Sequence, residues 1–135
     1  GQSNYSAAKA GILGLMRTSA RELHQYDVRV NAMWPTALTR MTEDLPGMEG
    51  LDEESMGPQL VPAVPVFLAS EAATDVNGVT LAIAGGNLSI VSDPERERTL
   101  SKDIAAEGRW TPEEIESRWD DLTEGSETMR MDPGY

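Results

Sequence analysis

The chain has 135 residues, 39% of them hydrophobic, with no cysteine, one histidine and a formal net charge of −12. Disulfides and thiolate metal sites are thereby excluded, a histidine metal site has only His24 to draw on, and no basic face is available for nucleic acid. No apolar run approaches the ~20 residues that cross a bilayer, so no membrane partner, no bound metal and a cytoplasmic location are expected.

The sequence begins with Gly1 rather than Met and its first recognisable element opens within a few residues, as in a chain cut from something longer. The charge is uneven. Residues 92–135 hold 6 Lys/Arg against 13 Asp/Glu and form the more acidic part, which reads most simply as a solvated surface.

The first predicted element is a helix from Tyr5 to about Tyr26, free of proline. It contains NYSAAKAGILGL, in which Tyr5 and Lys9 are the large polar side chains among Ala, Gly and Leu. Residues i and i+4 share a helix face, so the Lys9 ammonium can stand near the Tyr5 phenol. An ammonium near a phenol favours the phenolate, the form that acts as a general base. Snorkelling surface residues produce the same spacing, so the pair alone does not decide between the two readings. Ile12, Leu13, Leu15 and Met16 are apolar at four of five consecutive positions. A helix this greasy is expected to be buried on two sides, with Ala7, Ala8, Ala10, Gly11 and Gly14 allowing a second helix to come close.

VRVNAMW, residues 28–34, reads as a short buried strand halted by Pro35. Helix followed closely by strand is the αβ half of a βαβ unit. Residues 35–54 then form a long loop with room for one short helix, the kind of insertion that covers a site. PQLVPAVPVFLASEAA, residues 58–73, resumes helical character, with Pro62 in the first turn and Pro65 expected to kink or tighten the helix. GVTLAIAGG, residues 78–86, reads as the last buried strand, ending in a glycine turn at Gly85 and Gly86. A phosphate loop there lacks the helix that should open after Asn87. Beyond residue 91, Thr111, Pro112 and Glu114 form a capping box. Ile115, Trp119 and Leu122 then repeat at helical spacing over about three turns. Residues 123–135 read as a frayed tail.

Taken in order, YSAAKAG on a helix, VRVNAMWP on a strand, LVPAVPVFLASEAA on a helix and NGVTLAIAGG on a strand resemble the second half of a short-chain dehydrogenase/reductase. The segments PTALTRMTEDLP, ERERTL and WTPEEIESRWDDL resemble one branch of that family, the (3R)-hydroxyacyl-CoA dehydrogenase unit of peroxisomal multifunctional enzyme type 2 and its bacterial relatives. The resemblance implies an α/β fold, the second half of a doubly wound Rossmann-type parallel sheet. Residues 1–91 would be the carboxyl-terminal half of the dehydrogenase domain, and residues 92–135 a short acidic helical extension. It implies NAD or NADP as cofactor, with NAD favoured, a small acyl thioester or other secondary alcohol as substrate, and a homo-oligomer.

It also implies roles for particular residues. Tyr5 would be the general base that takes the hydroxyl proton, and Lys9 would hold the nicotinamide ribose. Pro35, Thr36, Ala37 and Leu38 would lie along the nicotinamide. Thr36 stands where many members have glycine, and Thr39 is offset by one residue from the usual carboxamide-binding threonine, so a loop-capping role competes for it. Arg40 is divided between a local salt bridge and an acyl-CoA phosphate. The family's glycine-rich cofactor loop and catalytic serine precede the YxxxK segment and have no counterpart in these residues; Ser3 and Ser6 are too close to Tyr5. The isolated chain is therefore expected to be inactive, either as part of a 3-hydroxyacyl-CoA oxidoreductase or as a non-catalytic remnant that serves only in dimerisation.

Overall fold

The computed structural model of the chain describes residues 2–126. The end of the tail, residues 127–135, lies outside the described residues. Two compact units are present, Gly1–Ser92 and Asp93–Tyr135.

In the first unit the order is α1 (Ser3–Glu22), β1 (Ala32–Thr36), α2 (Glu53–Met56), α3 (Ala63–Ala69), β2 (Thr80–Ala84) and β3 (Asn87–Val91). The sheet order is β1-β2-β3. β1 and β2 are parallel, with Ala32 opposite Thr80 and Thr36 opposite Ala84. β3 returns antiparallel to β2, with Ala84 opposite Asn87. The fold is thus the expected α/β arrangement around a parallel pair, with a hairpin strand added at its edge.

Several boundaries differ from the sequence reading, each for a local reason. α1 ends at Glu22 rather than near Tyr26. A 3-10 turn over His24–Tyr26 follows, closed by Asp27 in the left-handed region at φ 57°. β1 starts at Ala32 rather than at Val28. The backbone of Val30 bonds instead to the Asn77 side chain and to the Gly78 amide, outside the strand ladder. Pro35 does not halt β1. The Ala32 amide donates to Val79 O (2.9 Å). Even-numbered residues of β1 therefore face β2, and the missing N–H of Pro35 falls on the other side, where it costs no β1–β2 bond. Pro65 causes no kink, because α3 begins at Ala63 and Pro65 lies in the first turn, where amides have no intrahelical partner. β3 went unrecognised in the sequence, although NLSIV alternates after the two glycines.

Alternation along the strands separates two sheet faces. Leu81 and Ile83 of β2 pack on Val64 of α3, with Met33, Val61, Leu68 and Val79 around them. The opposite face carries Trp34, Thr36, Ala82, Ala84, Asn87 and Ser89, which line an open hollow of about 300 Å³.

At the amino end of the parallel pair, two asparagine side chains join three elements. Asn77 accepts from the Val30 amide (2.8 Å) and donates to Ala20 O at the end of α1 (3.0 Å). Asn31 accepts from the Val79 amide (2.9 Å) and donates to Val76 O (2.9 Å). Next to them the Arg29 guanidinium donates to Leu68 O and Ala73 O, satisfying carbonyls where α3 and the following turn end.

Among its described residues the second unit holds three short helices, α4 (Ile104–Glu107), α5 (Pro112–Ser117) and α6 (Trp119–Thr123). The Thr111–Glu114 capping box forms as expected. The helix after it is interrupted, because at Arg118 the backbone turns out of helical geometry (ψ 13°) and its N–H is shared between Glu114 O and Ile115 O. Lys102 donates to both Glu114 carboxylate oxygens at 2.8 Å. That bond, assisted by the Thr111 amide, holds the Glu114 carboxyl below its ordinary value.

Replacing Asn77 by Ala orphans the Val30 amide and the Ala20 carbonyl together. A loss of about 1–3 kcal/mol is expected, read as a lower urea midpoint with unchanged slope; a midpoint equal to the wild type would show that water replaces the amide without cost.

Candidate functional site

Tyr5 and Lys9 stand in the first turns of α1, and the Lys9 Nζ lies 5.5 Å from the centroid of the Tyr5 ring. The ammonium is thus over the electron-rich ring face rather than bonded to the phenol oxygen. Among the described residues, neither the Tyr5 hydroxyl nor the Lys9 ammonium has a hydrogen-bond or ion-pair partner, and Tyr5 is 57% exposed. At 100° per residue, Tyr5, Lys9, Ile12, Met16 and Ala20 fall within an arc of about 80° on the helix. Met16 and Ala20, each 4% exposed, are the buried residues of α1. The catalytic candidates therefore occupy the amino-terminal continuation of the helix face that is buried further along. Burial within the single chain falls on Met16 and Ala20, while Ile12 (50%) and Leu15 (68%) are exposed.

The other candidates gather at the carboxyl ends of the strands. Pro35 and Thr36 close β1, and Ala37, Leu38 and Thr39 continue into the loop. Leu38 donates its amide to Met56 O (2.6 Å), tying this loop to the end of α2. The Thr39 hydroxyl accepts from the Met41 amide (3.2 Å) and meets Thr42 Oγ1 at 3.1 Å. Thr42 in turn accepts from the Thr39 amide (2.8 Å) and donates to Ala37 O (2.7 Å). In this arrangement Thr39 serves the loop-capping role. Thr42, which sequence reasoning passed over, closes the same turn; the T-x-x-T spacing was its signal. Met41, beside Arg40, is almost fully exposed.

α2 is held by its own cap. The Ser55 amide and hydroxyl both donate to the Asp52 carboxylate, and these bonds hold that carboxyl below its ordinary value, the hydroxyl contributing most. The carbonyl of Ser55 and the Met56 sulfur then press on Gly85, at the turn between β2 and β3. A Cβ built on Gly85 would fall 2.9 Å from Met56 Sδ and closer still to Ser55 O, and its φ is +55°. Glycine is required there on both counts, so Gly85 and Gly86 make the hairpin turn expected of them. No hydrogen bond joins Tyr5 or Lys9 to residues 35–39 among the described residues. Nor do the described residues contain a group of three His, Asp or Glu side chains that could hold a metal ion.

Residues 1–87 match a family model described as "Enoyl-(Acyl carrier protein) reductase". The chain belongs to the short-chain dehydrogenase/reductase family. Members of this family use NAD or NADP. A hydroxyacyl-CoA dehydrogenase of Mycobacterium tuberculosis is 40% identical over 119 residues, which are 85% of this chain and 37% of that protein. The peroxisomal hydratase-dehydrogenase-epimerase of Saccharomyces cerevisiae is 32% identical over 92% of this chain and 13% of its own length. Among solved structures, a short chain dehydrogenase from Mycobacterium avium superposes with a TM-score of 0.71 at 33% identity, covering 90% of this chain and 37% of that one. Full-length peroxisomal multifunctional enzyme type 2 from Drosophila melanogaster gives 0.70 at 26% identity, covering 93% and 22%. The chain thus spans well under half the length of these relatives. Like them it is an α/β chain, and no helix among the described residues is long and apolar enough to cross a membrane.

Gly85→Ala should force the turn against α2 and lower stability by roughly 1–3 kcal/mol. Thermal unfolding monitored by circular dichroism measures this, and an unshifted midpoint would mean that α2 moves freely away from the hairpin.

Proposed function

We propose that this chain is the carboxyl-terminal half of the catalytic domain of an oxidoreductase that converts a 3-hydroxyacyl-CoA, or a similar secondary alcohol, to the 3-oxo form. The observation that carries this reading is the unpartnered Tyr5–Lys9 pair on the helix face that Met16 and Ala20 continue into the interior. The substrate class is supported by the names of the relatives, hydroxyacyl-CoA dehydrogenase in Mycobacterium tuberculosis and (3R)-3-hydroxyacyl-CoA dehydrogenase in Homo sapiens.

The donors present suit the nicotinamide end of a dinucleotide. Lys9 has three N–H groups without partners, which fit the two hydroxyls of a ribose. The Leu38 and Thr39 amides are already engaged by Met56 and Thr42. In this reading they shape the turn beside the nicotinamide and leave the contact with it to neighbouring atoms. The dinucleotide, when bound, accepts the hydride leaving the carbinol carbon. Tyr5 Oη takes the hydroxyl proton as the C=O bond forms. Lys9 orients the ribose and places positive charge beside the phenolate. NAD is favoured over NADP. No TGxxxGxG loop occurs in the 135 residues, so turnover and pyrophosphate binding are assigned to a longer protein that contains this segment, and the isolated chain is inactive.

In that longer protein Tyr5→Phe should keep the fold and cofactor affinity and lower kcat by about 10²–10⁴-fold. Lys9→Ala should weaken cofactor binding as well as turnover. Steady-state assays with 3-hydroxyacyl-CoA and either nicotinamide measure both; near-normal turnover of the Phe variant would remove Tyr5 from its role.

The exposure of Leu15 favours a second reading, in which α1 also mediates homo-oligomerisation, and which stands even if the segment is non-catalytic. Leu15 lies about 100° round the helix from buried Met16, so it can meet a second copy while Met16 stays inside. Leu15→Glu should shift the sedimentation coefficient from oligomer toward monomer without loss of helix content. An unchanged oligomer would place the interface elsewhere.

A further inference from the structure

The sheet of the first unit ends in an edge that its own chain leaves open. β3 is the outermost strand, paired only with β2, and its register runs unbroken from Asn87 opposite Ala84 to Val91 opposite Thr80. The Ala32 amide donates to Val79 O, so the odd-numbered residues of β2 bond toward β1 and the even-numbered ones toward β3. Thr80, Ala82 and Ala84 therefore engage Val91, Ser89 and Asn87, as a two-residue turn at Gly85 and Gly86 also requires. The N–H and C=O groups of Leu88 and Ile90 point the other way. Among the described residues they make no hydrogen bond outside the sheet.

Nothing on this edge discourages a second strand. Edge strands are ordinarily blunted by lysine, proline or a bulge, and NLSIV contains none of these. Leu88 and Ile90 are 63% and 75% exposed. They stand opposite Ile83 and Leu81, on the sheet face that carries α3, and prolong that core as an uncovered apolar stripe. In a chain of net charge −12, residues 76–92 carry no charged side chain. Two copies of so acidic a chain repel each other except where such neutral surfaces meet.

We propose that β3 pairs antiparallel with β3 of a second copy, about a two-fold axis at Ser89. A two-fold contact demands a self-complementary surface, and LSI reads apolar, small, apolar from either end. In this register Leu88 of each copy lies opposite Ile90 of the other, and Ser89 lies opposite Ser89 of the second copy. The outward N–H and C=O groups of Leu88 and Ile90 are then all satisfied, in four hydrogen bonds across the axis. The two apolar stripes join, and two three-stranded sheets become one of six. An unrelated extended segment would satisfy the backbone groups equally well. The symmetry of LSI and the neutrality of the edge within an acidic chain are what single out a second copy.

The chain has no cysteine, so a single introduced thiol reports the pairing. Directly opposed residues of a non-hydrogen-bonded antiparallel pair have Cα atoms about 4.5 Å apart, within the span of a disulfide. Ser89→Cys in the full chain, mildly oxidised, is expected to give a disulfide-linked dimer on a non-reducing gel. In Asn87→Cys the two thiols would be offset by roughly 13 Å along the paired strands, and about tenfold less linkage is expected. Adding Ile90→Lys to Ser89→Cys should reduce linkage to a similar degree, because lysine blunts the edge. All three positions are exposed, and circular dichroism checks that each variant keeps its fold. Linkage of Ser89→Cys should persist in the Leu15→Glu background, which separates this contact from one made through α1. A Ser89→Cys chain that stays monomeric would leave the edge to some other strand and overturn the pairing. So would equal linkage of the two cysteine variants, linkage undiminished by Ile90→Lys, or its loss in the Leu15→Glu background. The readout needs neither cofactor nor turnover, so it stands or falls apart from the reaction given under Proposed function.

Discussion

Everything in the first unit hangs from the two amide side chains at the base of the parallel pair. A parallel pair cannot be closed by a hairpin, so its register must be set by other means. Asn31 and Asn77 do this reciprocally, each taking an amide proton from the other's segment. Gly78 adds a backbone bond to Val30. With Ala32 set opposite Thr80, the alternation of every later residue follows, and a slip of one position would turn Leu81 and Ile83 away from Val64. The same Asn77 holds the last turn of α1 through Ala20 O.

The opposite end of the sheet is held in a different way. Loop 37–42 is closed by two threonines and tied to α2 by the Leu38–Met56 bond, and α2 presses on the hairpin turn at Gly85. These contacts are backbone or short polar ones, with little apolar burial. Open α/β sheets bind ligands at this end of their strands. A scaffold anchored firmly at one end and gathered by local hydrogen bonds at the other can adjust its loop to a ligand while register and core stay intact.

Charge sets a second constraint. In a chain of net charge −12 an anion is repelled except where the few cations are gathered. Lys9 stands over an aromatic ring in the first unit, and Arg118 and Lys102 over another in the second. For Lys9 the ring attracts the cation without neutralising it, whereas Lys102 is also paired with the Glu114 carboxylate and Arg118 stands 3.8 Å from that of Asp121.

The sequence by itself determined the family and much of the element order. Tyr5 and Lys9 at i, i+4, the β-rich run before Pro35, and the Thr111–Glu114 capping box are local patterns whose physics is complete within a few residues. Where β1 begins, why Pro35 stays inside it, and that NLSIV pairs as a strand depend on partners about 40 to 50 residues away or on the side of a strand that faces its neighbour. The part played by Thr39 was divided until Thr42 was seen to share its hydroxyl, and the need for glycine at position 85 arises only because Ser55 and Met56 come to rest there. Burial on α1 was legible as greasiness but not as direction, since Met16 and Leu15 are both apolar in the sequence and only the tertiary fold makes one interior and the other exposed.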